Sequence, residues 1–430
     1  MGENNMTAII TVDLGFGDSA KGATIDYLSH LYPDNVVIRY SGGPQAAHNV
    51  VQPDGRHHTF RQLGSGSFVP TSKTFLSKYM LINPTSLLFE LDTLAELHVD
   101  LNDRVYVSEN AQIILPWYAT ATQVREVMRG NDNHGSTGEG ISDARRDRLE
   151  NRDVLYIRDL KSENLEEKLE QLFIQKSEEL NDVINQYSLS NKTCKRLLSI
   201  MNESFTYDQI PELIADYKEF MQRVNIVPDN YLARLAKHNT LLFEAAQGVL
   251  LDEFYGFHPY NTWTNTTTQN AENLLNEINY NEPIKTYGLM RAYQTRHGAG
   301  PMPTQSSDLN YIQESHNKTE LWAGDFRNGY LDLVLLDYAL NVNPVDELVI
   351  SHLDAVKEYA FVDEYDKTKQ LNKPDEDLDV TNTNLLKSVE DYSLHICTNE
   401  DDFLYQIEKL LNTPIKLVAH GQTHVDRALR

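Results

Sequence analysis

Cysteine is nearly absent from this 430-residue chain, which holds two, Cys194 and Cys397. Two thiols cannot build a disulfide framework, so the fold must rest on its core, and a reducing, cytoplasmic compartment is expected. Positive charge is also scarce. The 38 Lys and Arg stand against 63 Asp and Glu, a formal charge of -25, which argues against nonspecific binding to nucleic acid or to an anionic membrane surface. A small anionic ligand would therefore need a local basic pocket. Long apolar runs are missing: no window approaches the roughly 18 residues that a membrane span requires. The opening "MGENNMTAII" has no basic stretch followed by an apolar one, so no secretory leader is expected. Internal repeats and low-complexity linkers are lacking too, and one compact unit over 1–430 is expected. The 40% hydrophobic content suffices for a large core.

What is present is an alternation. "TAIITVDL", "NVVIRYSGG", "RVYVSE", "NTLLFEAAQG", "ELVISHLDAV" and "IKLVAHG" read as buried strands that end in Gly or polar residues. Amphipathic helices lie between them, for example Glu163 to Tyr187 and Leu331 to Asn341. Fully apolar strands alternating with helices predict an α/β fold, a mostly parallel central sheet with helices on both faces. In such sheets ligands sit at the carboxyl ends of the strands, and several polar motifs follow a strand directly. The stretch 163–237 carries no chemical motif and reads as a helical insertion, whereas Val362 to Asn384 reads as a surface loop or hairpin.

The most suggestive stretch is "TVDLGFGDSAKGATID", Thr11 to Asp26. It has the outline of a phosphate cradle: a β-branched run, a glycine-punctuated loop and the start of a helix. Gly15, Gly17 and Gly22 let the backbone approach an anion, Lys21 can reach a phosphate, and the helix N-terminus adds amides and partial positive charge. A tight turn that binds nothing explains the glycines equally well. Asp18 is the anomaly, a carboxylate in a loop built for anions. Next comes "RYSGGPQAAHNVV", with His48 beyond a diglycine loop, a candidate acid or base whose alternative is a structural histidine. "HGSTGEGISDARRDR" places hydroxyls and glycines before a basic cluster that would suit a nucleoside monophosphate, or simply leads into a charged helix. "LFEAAQGVLLDEFYGFHPYNTWTNTTT" is dense in amides and hydroxyls, among them Gln247, Asn261, Thr262 and Asn265. Arg296 sits among glycines in "RAYQTRHGAGPMPTQ", and Asp354 ends the strand in "ISHLDAV", where a solvated loop carboxylate is the plain alternative to a base-reading one.

Six such stretches in this order resemble the adenylosuccinate synthetase family. FGDSAKG matches its WGDEGKG, RYSGGPQAAH its RYQGGxNAGH and GSTGEGI its GTTGRGI. FEAAQGVLLD and HPYNTWTNTT match FEGAQGTLLD and YPYVTSSNTT, QTRHGAGPMPTQ matches STRVGAGPFPTE, and SHLD matches TKLD. The resemblance spans essentially the whole chain. It implies a P-loop-NTPase-like fold and a ligase that makes adenylosuccinate from IMP, GTP and aspartate. The γ-phosphate of GTP moves to the purine 6-oxygen, and an amine then displaces it. By resemblance Asp18 is the base that removes the N1 proton and, with Ala47, a Mg²⁺ ligand, which explains a carboxylate in the cradle. His48 would stabilise charge on the transferring group, and Lys21 and Gln247 would complete the catalytic set. Gly15, Gly17, Ser19, Lys21, Gly22, Gln45, Thr137, Arg152, Gln247, Thr262, Arg296, Asp354 and Gly421 are implied nucleotide contacts, with Asp354 on the triphosphate base. Arg327 and Thr304 are implied contacts of the amine substrate. A homodimer is implied as well, with the arginines at 145, 146, 148 and 152 near its interface.

The departures are specific. Ser19, Ala20 and Ala23 replace Glu, Gly and Lys in the first loop, Gln45 replaces Asn, His352 replaces Lys, and "HGQTHVD" stands where the family has GPxR. The family's arginine supplied across the dimer falls near Asn151, flanked by Arg148 and Arg152. The amino-acid loop differs most: "TELWAGDFRNGYLD" retains only Arg327, and Asp325 stands where the family is positive. With Trp322 and Phe326, the pocket is expected to bind aspartate poorly. A relative that acts on dGMP to give 2-aminoadenylosuccinate, a paralogue with another amine, and an inactive nucleotide-binding regulator are the competing expectations.

Overall fold

A computed structural model describes residues 7–130, 136–186, 190–313, 324–366 and 368–430; Trp322 and Tyr187, named above, lie outside them. The main sheet has ten strands among these residues. They are β1 (Ala8–Asp13), β2 (Asn35–Arg39), β3 (Lys73–Leu76), β4 (Val105–Ser108), β5 (Asn225–Val227), β6 (Thr240–Glu244), β7 (Ile284–Arg291), β8 (Glu347–Ser351), β9 (Ile415–Ala419) and β10 (Arg427–Leu429). Their order across the sheet is β10-β9-β8-β7-β1-β6-β2-β3-β4-β5. Every neighbouring pair is parallel except the edge pair β9 and β10.

Alternation along β1 shows why the sheet is covered twice. Ile9 packs with Ile25 and Leu28 of the helix α1 (Lys21–Leu31). Ala8 and Ile10 point the other way, onto Leu232 and Leu235 and onto Leu274 and Leu275 of the helices Leu232–Ala236 and Gln269–Glu277. Successive side chains of a strand face opposite sides, so an all-apolar strand needs helices on both. This is the expected α/β architecture.

The stretch 163–237 forms helices Leu165–Asn185, Asn191–Ser204, Ile210–Arg223 and Leu232–Ala236, and it also supplies the edge strand β5, which the sequence reading did not anticipate. β3, β7 and β10 were likewise unexpected. In β7, "IKTYGLMR" is interrupted by Gly288, which hides the apolar run; a Cβ there would lie 2.7 Å from Leu14 Cδ1. The segment 362–384, expected as a loop or hairpin, begins inside the strand Ala360–Tyr365, which pairs antiparallel with Tyr392–Ile396 beyond it, and ends in the helix Thr381–Lys387.

Because the strands are parallel, the segments after β1, β2, β6, β7, β8 and β9 emerge on one side of the sheet. Five of these strands are adjacent to one another around β1, and β2 adjoins β6. Five of the six polar motifs, together with "HGQTHVD" after β9, are thereby brought to one edge.

Candidate active site

β1 ends in Asp13, which is buried, and its carboxylate organises the loop that follows. It accepts hydrogen bonds from the backbone N–H of Gly15 at 2.9 Å and of Ser19 at 3.0 Å, from the Ser19 hydroxyl at 2.9 Å and from the Lys21 ammonium at 2.7 Å. The loop is strapped around this carboxylate. Sequence reasoning missed Asp13; the available signal was an acid ending an otherwise apolar strand. Lys21 is thus held from below by a carboxylate. The turn into α1 uses left-handed backbone at Asp18 and Ala20 (φ 62° and 58°).

The segment after β6 lies directly against this loop. A Cβ on Gly248 would sit 2.1 Å from the Gly15 carbonyl oxygen and 2.6 Å from the Gly17 nitrogen, so only glycine fits. That approach brings Gln247, also left-handed at φ 62°, over Gly17.

Asp18 is 29% exposed, and its Oδ2 lies 3.2 Å from His297 Nε2. Arg291 donates to its backbone carbonyl at 2.5 Å. Burial pushes the Asp18 carboxyl up, but the His297 hydrogen bond and the positive charges of His297, Arg291 and Lys21 hold it well below the usual carboxylate range. It is therefore ionised at neutral pH.

His48 opens a short hairpin strand, His48–Val51. Its Nδ1 lies 2.6 Å from Oε1 of Glu244, the last residue of β6. Glu244 also accepts from the backbone N–H of Ser65 at 3.0 Å and from the Ser65 hydroxyl. Burial opposes the charge on Glu244, yet Arg39, His48 and Ser65 bring its carboxyl down to about 2. Burial lowers the basicity of His48 and outweighs Glu244, which raises it. A carboxylate on Nδ1 fixes the ring and its tautomer, leaving Nε2 for chemistry. Glu244 was also missed in the sequence, where it reads simply as the end of a strand.

Two cavities open from this cluster. The first, of about 220 Å³, is lined by Gly17, Asp18, Lys21, Gln45, Ala47, His48, Thr137, Gln247, Thr262 and Arg296 among others. The second, of about 380 Å³, is lined by Asp18, Lys21, Gly22, Ala47, His48, Asp354 and Gly421 among others. They share one wall: Asp18, Lys21, Ala47 and His48 belong to both. In the first cavity both side-chain amide atoms of Gln45 are buried without a hydrogen-bond partner among the described residues, a cost that a polar ligand would relieve.

Arg296 is buried at the far side of the first cavity. It donates to the carbonyls of Pro301 at 2.7 Å and Tyr260 at 3.0 Å and lies 4.1 Å from the centre of the Phe16 ring. Burial and the charge of Arg327 bring its pKa down to about 9. Arg327 donates to the carbonyls of Gly298 and Gly300 at 2.7 and 3.0 Å and to Gln305 at 3.2 Å. Two arginines therefore stand together with hydrogen bonds to neutral oxygens.

The remaining candidates lie elsewhere. Gly15 and Ser19 line a separate small cavity with Arg291 and Gln294. Arg327 and Thr304 line neither large cavity, and Thr304 is fully buried. Arg152 also lines neither; it pairs with Glu150 at 2.7 Å and Glu179 at 2.6 Å. Arg145 and Arg146 likewise have carboxylates of their own chain, Glu253 and Asp143.

A glycine-punctuated loop after the first strand, facing two cavities across a wall of Asp18, Lys21, Ala47 and His48, is the arrangement expected of an α/β enzyme of the nucleotide-dependent group-transfer class. The sequence profile of adenylosuccinate synthetase matches residues 10–427. The adenylosuccinate synthetase of Chlorobium limicola is 30% identical over 363 residues, 83% of this chain and 78% of its own; that of Clostridium botulinum is 30% identical over 356 residues, 82% and 78%. The chain belongs to the adenylosuccinate synthetase family, GTP-dependent ligases that form a carbon–nitrogen bond. Its fold is that of the fully ligated adenylosuccinate synthetase of Plasmodium falciparum (TM-score 0.77, 20% identity, 99% of this chain and all of the other). The succinoaminodeoxyadenylate synthetase of cyanophage S-2L, bound to dGMP and dATP, is also similar (TM-score 0.64, 17% identity, 99% and 95%).

Proposed function

We propose that the first cavity holds the purine nucleoside monophosphate, IMP by preference, and the second holds GTP, with aspartate entering beside Arg296 and Arg327. The observation that carries this reading is the shared wall. A γ-phosphate in the second cavity and a purine 6-oxygen in the first can meet only at Asp18, Lys21, Ala47 and His48. Asp18 accepts the N1 proton, which turns the 6-oxygen into a nucleophile. His48, held by Glu244, hydrogen-bonds the group on which charge develops. Lys21, with Asp13 behind it, holds phosphate. Gln45, Thr137, Gln247 and Thr262 bind the monophosphate, and Asp354 and Gly421 bind the donor base. The transferred phosphate then leaves as the amine attacks C6.

The donor set suits Mg²⁺, which is held through one or two carboxylates plus substrate phosphates. Asp18 is ionised and reaches both cavities, and Ala47 offers a backbone carbonyl on the same wall. When bound, the metal would neutralise phosphate charge next to Asp18.

Arg296 and Arg327 as neighbours bear on the amine. The loop "LWAGDFRNG" alone holds one arginine, but the fold sets Arg296 beside it, so two positive charges, though each is hydrogen-bonded to neutral oxygens, attract an anionic amino acid to this corner of the site. That favours aspartate. The chain is read as one domain over 1–430 that carries the helical subregion 163–237. The test is a substrate matrix. IMP or dGMP, GTP or ATP, and aspartate or neutral amino acids are combined, with phosphate release and product mass as readouts. Adenylosuccinate formed only with IMP and aspartate is expected. Product from dGMP alone, or no product from any combination, overturns the reading.

A further inference from the structure

α1, which starts at the phosphate loop, ends beside the segment 420–427, the region that departs most from the family's GPxR. Between them three side chains converge: Asp26 and His30 of α1, and His424. One ring nitrogen of each imidazole and one carboxylate oxygen of Asp26 all lie within 4.8 Å of one another. His30 Nδ1 is 3.7 Å from Asp26 Oδ1, and His424 Nδ1 is 3.5 Å from Asp26 Oδ2. The two rings stack at 3.7 Å between centroids. Zinc bonds of about 2.0–2.2 Å set ligand atoms roughly 3.3–3.5 Å apart in a tetrahedron, so the His424–Asp26 spacing already approaches that figure. The two rings lie nearly parallel, 15° apart, so facing a common ion takes rotation of an imidazole about its side-chain bonds, which His30, 35% exposed, has room to make.

Two observations support a cation here. Asp26 is 1% exposed, and the Gln52 amide donates to both its oxygens at 3.0 and 3.1 Å, an orienting contact of the kind that fixes metal ligands. His424 Nδ1 is buried without a hydrogen-bond partner. His30 Nδ1 lies 2.9 Å from the Asp26 carbonyl oxygen; an N–H donated there leaves Nε2 as the lone-pair nitrogen. Arg427 is the opposing group, close enough to act on Asp26, though its guanidinium donates to the Gly421 and Thr423 carbonyls.

We infer that Asp26, His30 and His424 form a second metal site, distinct from the catalytic wall, for a borderline transition-metal ion such as Zn²⁺. Two imidazoles and one carboxylate suit such ions and not Mg²⁺ or Ca²⁺, which take oxygen ligands. An ion there ties α1 to the segment that contributes Gly421, Gln422 and Arg427 to the second cavity. The inference is independent of which nucleotides the cavities hold.

The test is equilibrium dialysis of the full chain against ZnCl₂ with excess Mg²⁺ present, for the unaltered protein, His30→Gln, His424→Gln and Asp18→Asn. Asp18→Asn controls for zinc at the catalytic wall. The unaltered protein and Asp18→Asn should each hold one zinc equivalent that both histidine variants lack. Zinc should raise the melting temperature of the first two and not of the others. Circular dichroism checks folding, and if one histidine variant misfolds the other decides. Equal zinc content and equal thermal shifts in all four proteins overturn the site.

Discussion

At the scale of single residues, two carboxylates divide the work at the cavity wall. Asp18 is ionised and reaches both cavities; Glu244 is buried behind His48 and lines neither of them. Asp18→Asn keeps the shape but cannot take a proton, and kcat should fall about 10²–10⁴-fold with nucleotide dissociation constants little changed. A variant within tenfold of the unaltered enzyme would remove Asp18 from that role. Glu244→Gln acts through His48. It leaves Nδ1 without its carboxylate, and kcat should drop roughly 10²-fold with KM for the nucleotides preserved. Pre-steady-state phosphate transfer separates this from a folding defect. Asp18, His48, Lys21 and Gln247, which line one cavity, were legible in the sequence as candidates because each lies near glycine in a loop after a strand. Asp13 and Glu244 were not, because their partners, Lys21 at 2.7 Å and His48 at 2.6 Å, are set by tertiary contact; His48 and Glu244 are 196 residues apart.

At the scale of elements, the apolar strands and their order of alternation with helices were legible, since burial on both faces leaves an unbroken apolar run. Strands that carry polar or glycine positions were not, and β7 is the instance that matters, for Arg296 follows it. The close approach of Gly248 to the first loop gives an element-level prediction. Gly248→Ala forces two backbones apart, because the added methyl meets main-chain atoms that cannot rotate away. Turnover should fall at least tenfold, at the order of about 1–3 kcal/mol typical of overpacking, and nucleotide protection against proteolysis of the loop should weaken with it. Full activity would show that the two loops separate freely.

A second element-level prediction concerns Asp332, the N-cap of helix Leu333–Val342, which accepts from the Leu335 N–H at 3.1 Å and from the Tyr365 hydroxyl. Burial outweighs these bonds and raises its carboxyl from 3.8 to about 7. The folded state then binds more protons than the unfolded one, so stability is fully present below about pH 4 and is lost as pH rises through 7. Asp332→Asn retains an accepting oxygen without the charge. Its stability relative to the unaltered protein should therefore improve between pH 4.5 and pH 7.5, by a few kcal/mol at most. Urea denaturation at both values checks this, and a difference that does not change with pH would contradict it.

At the scale of the molecule, the sequence reading placed the arginines at 145, 146, 148 and 152 near a subunit interface because the family completes its nucleotide site with a partner arginine, and because an acidic surface offered the cluster no evident partner. Within the chain Arg145, Arg146 and Arg152 do have partners, Glu253, Asp143 and Glu179, so the second reason falls away. A homodimer is still the expectation from the family. Sedimentation at micromolar concentration with nucleotides bound should give twice the 49.2 kDa of the chain, and a monomer with full turnover would refute it.

The position of β1 in the sheet also has a consequence in time. It is the first strand of the sheet to be synthesised, yet both of its neighbours come from far along the chain: Ala8 pairs with Leu241 on one side and with Ile284 on the other. Until the ribosome has passed β6, the strand that leads into the glycine loop has two open edges, and one of them stays open until β7 is made. A nascent chain stopped near residue 230 would have its phosphate loop and none of the fold that shapes it. Non-local parallel pairing is slow and exposes strand edges, so assembly should favour conditions or chaperones that shield β1 until its partners arrive.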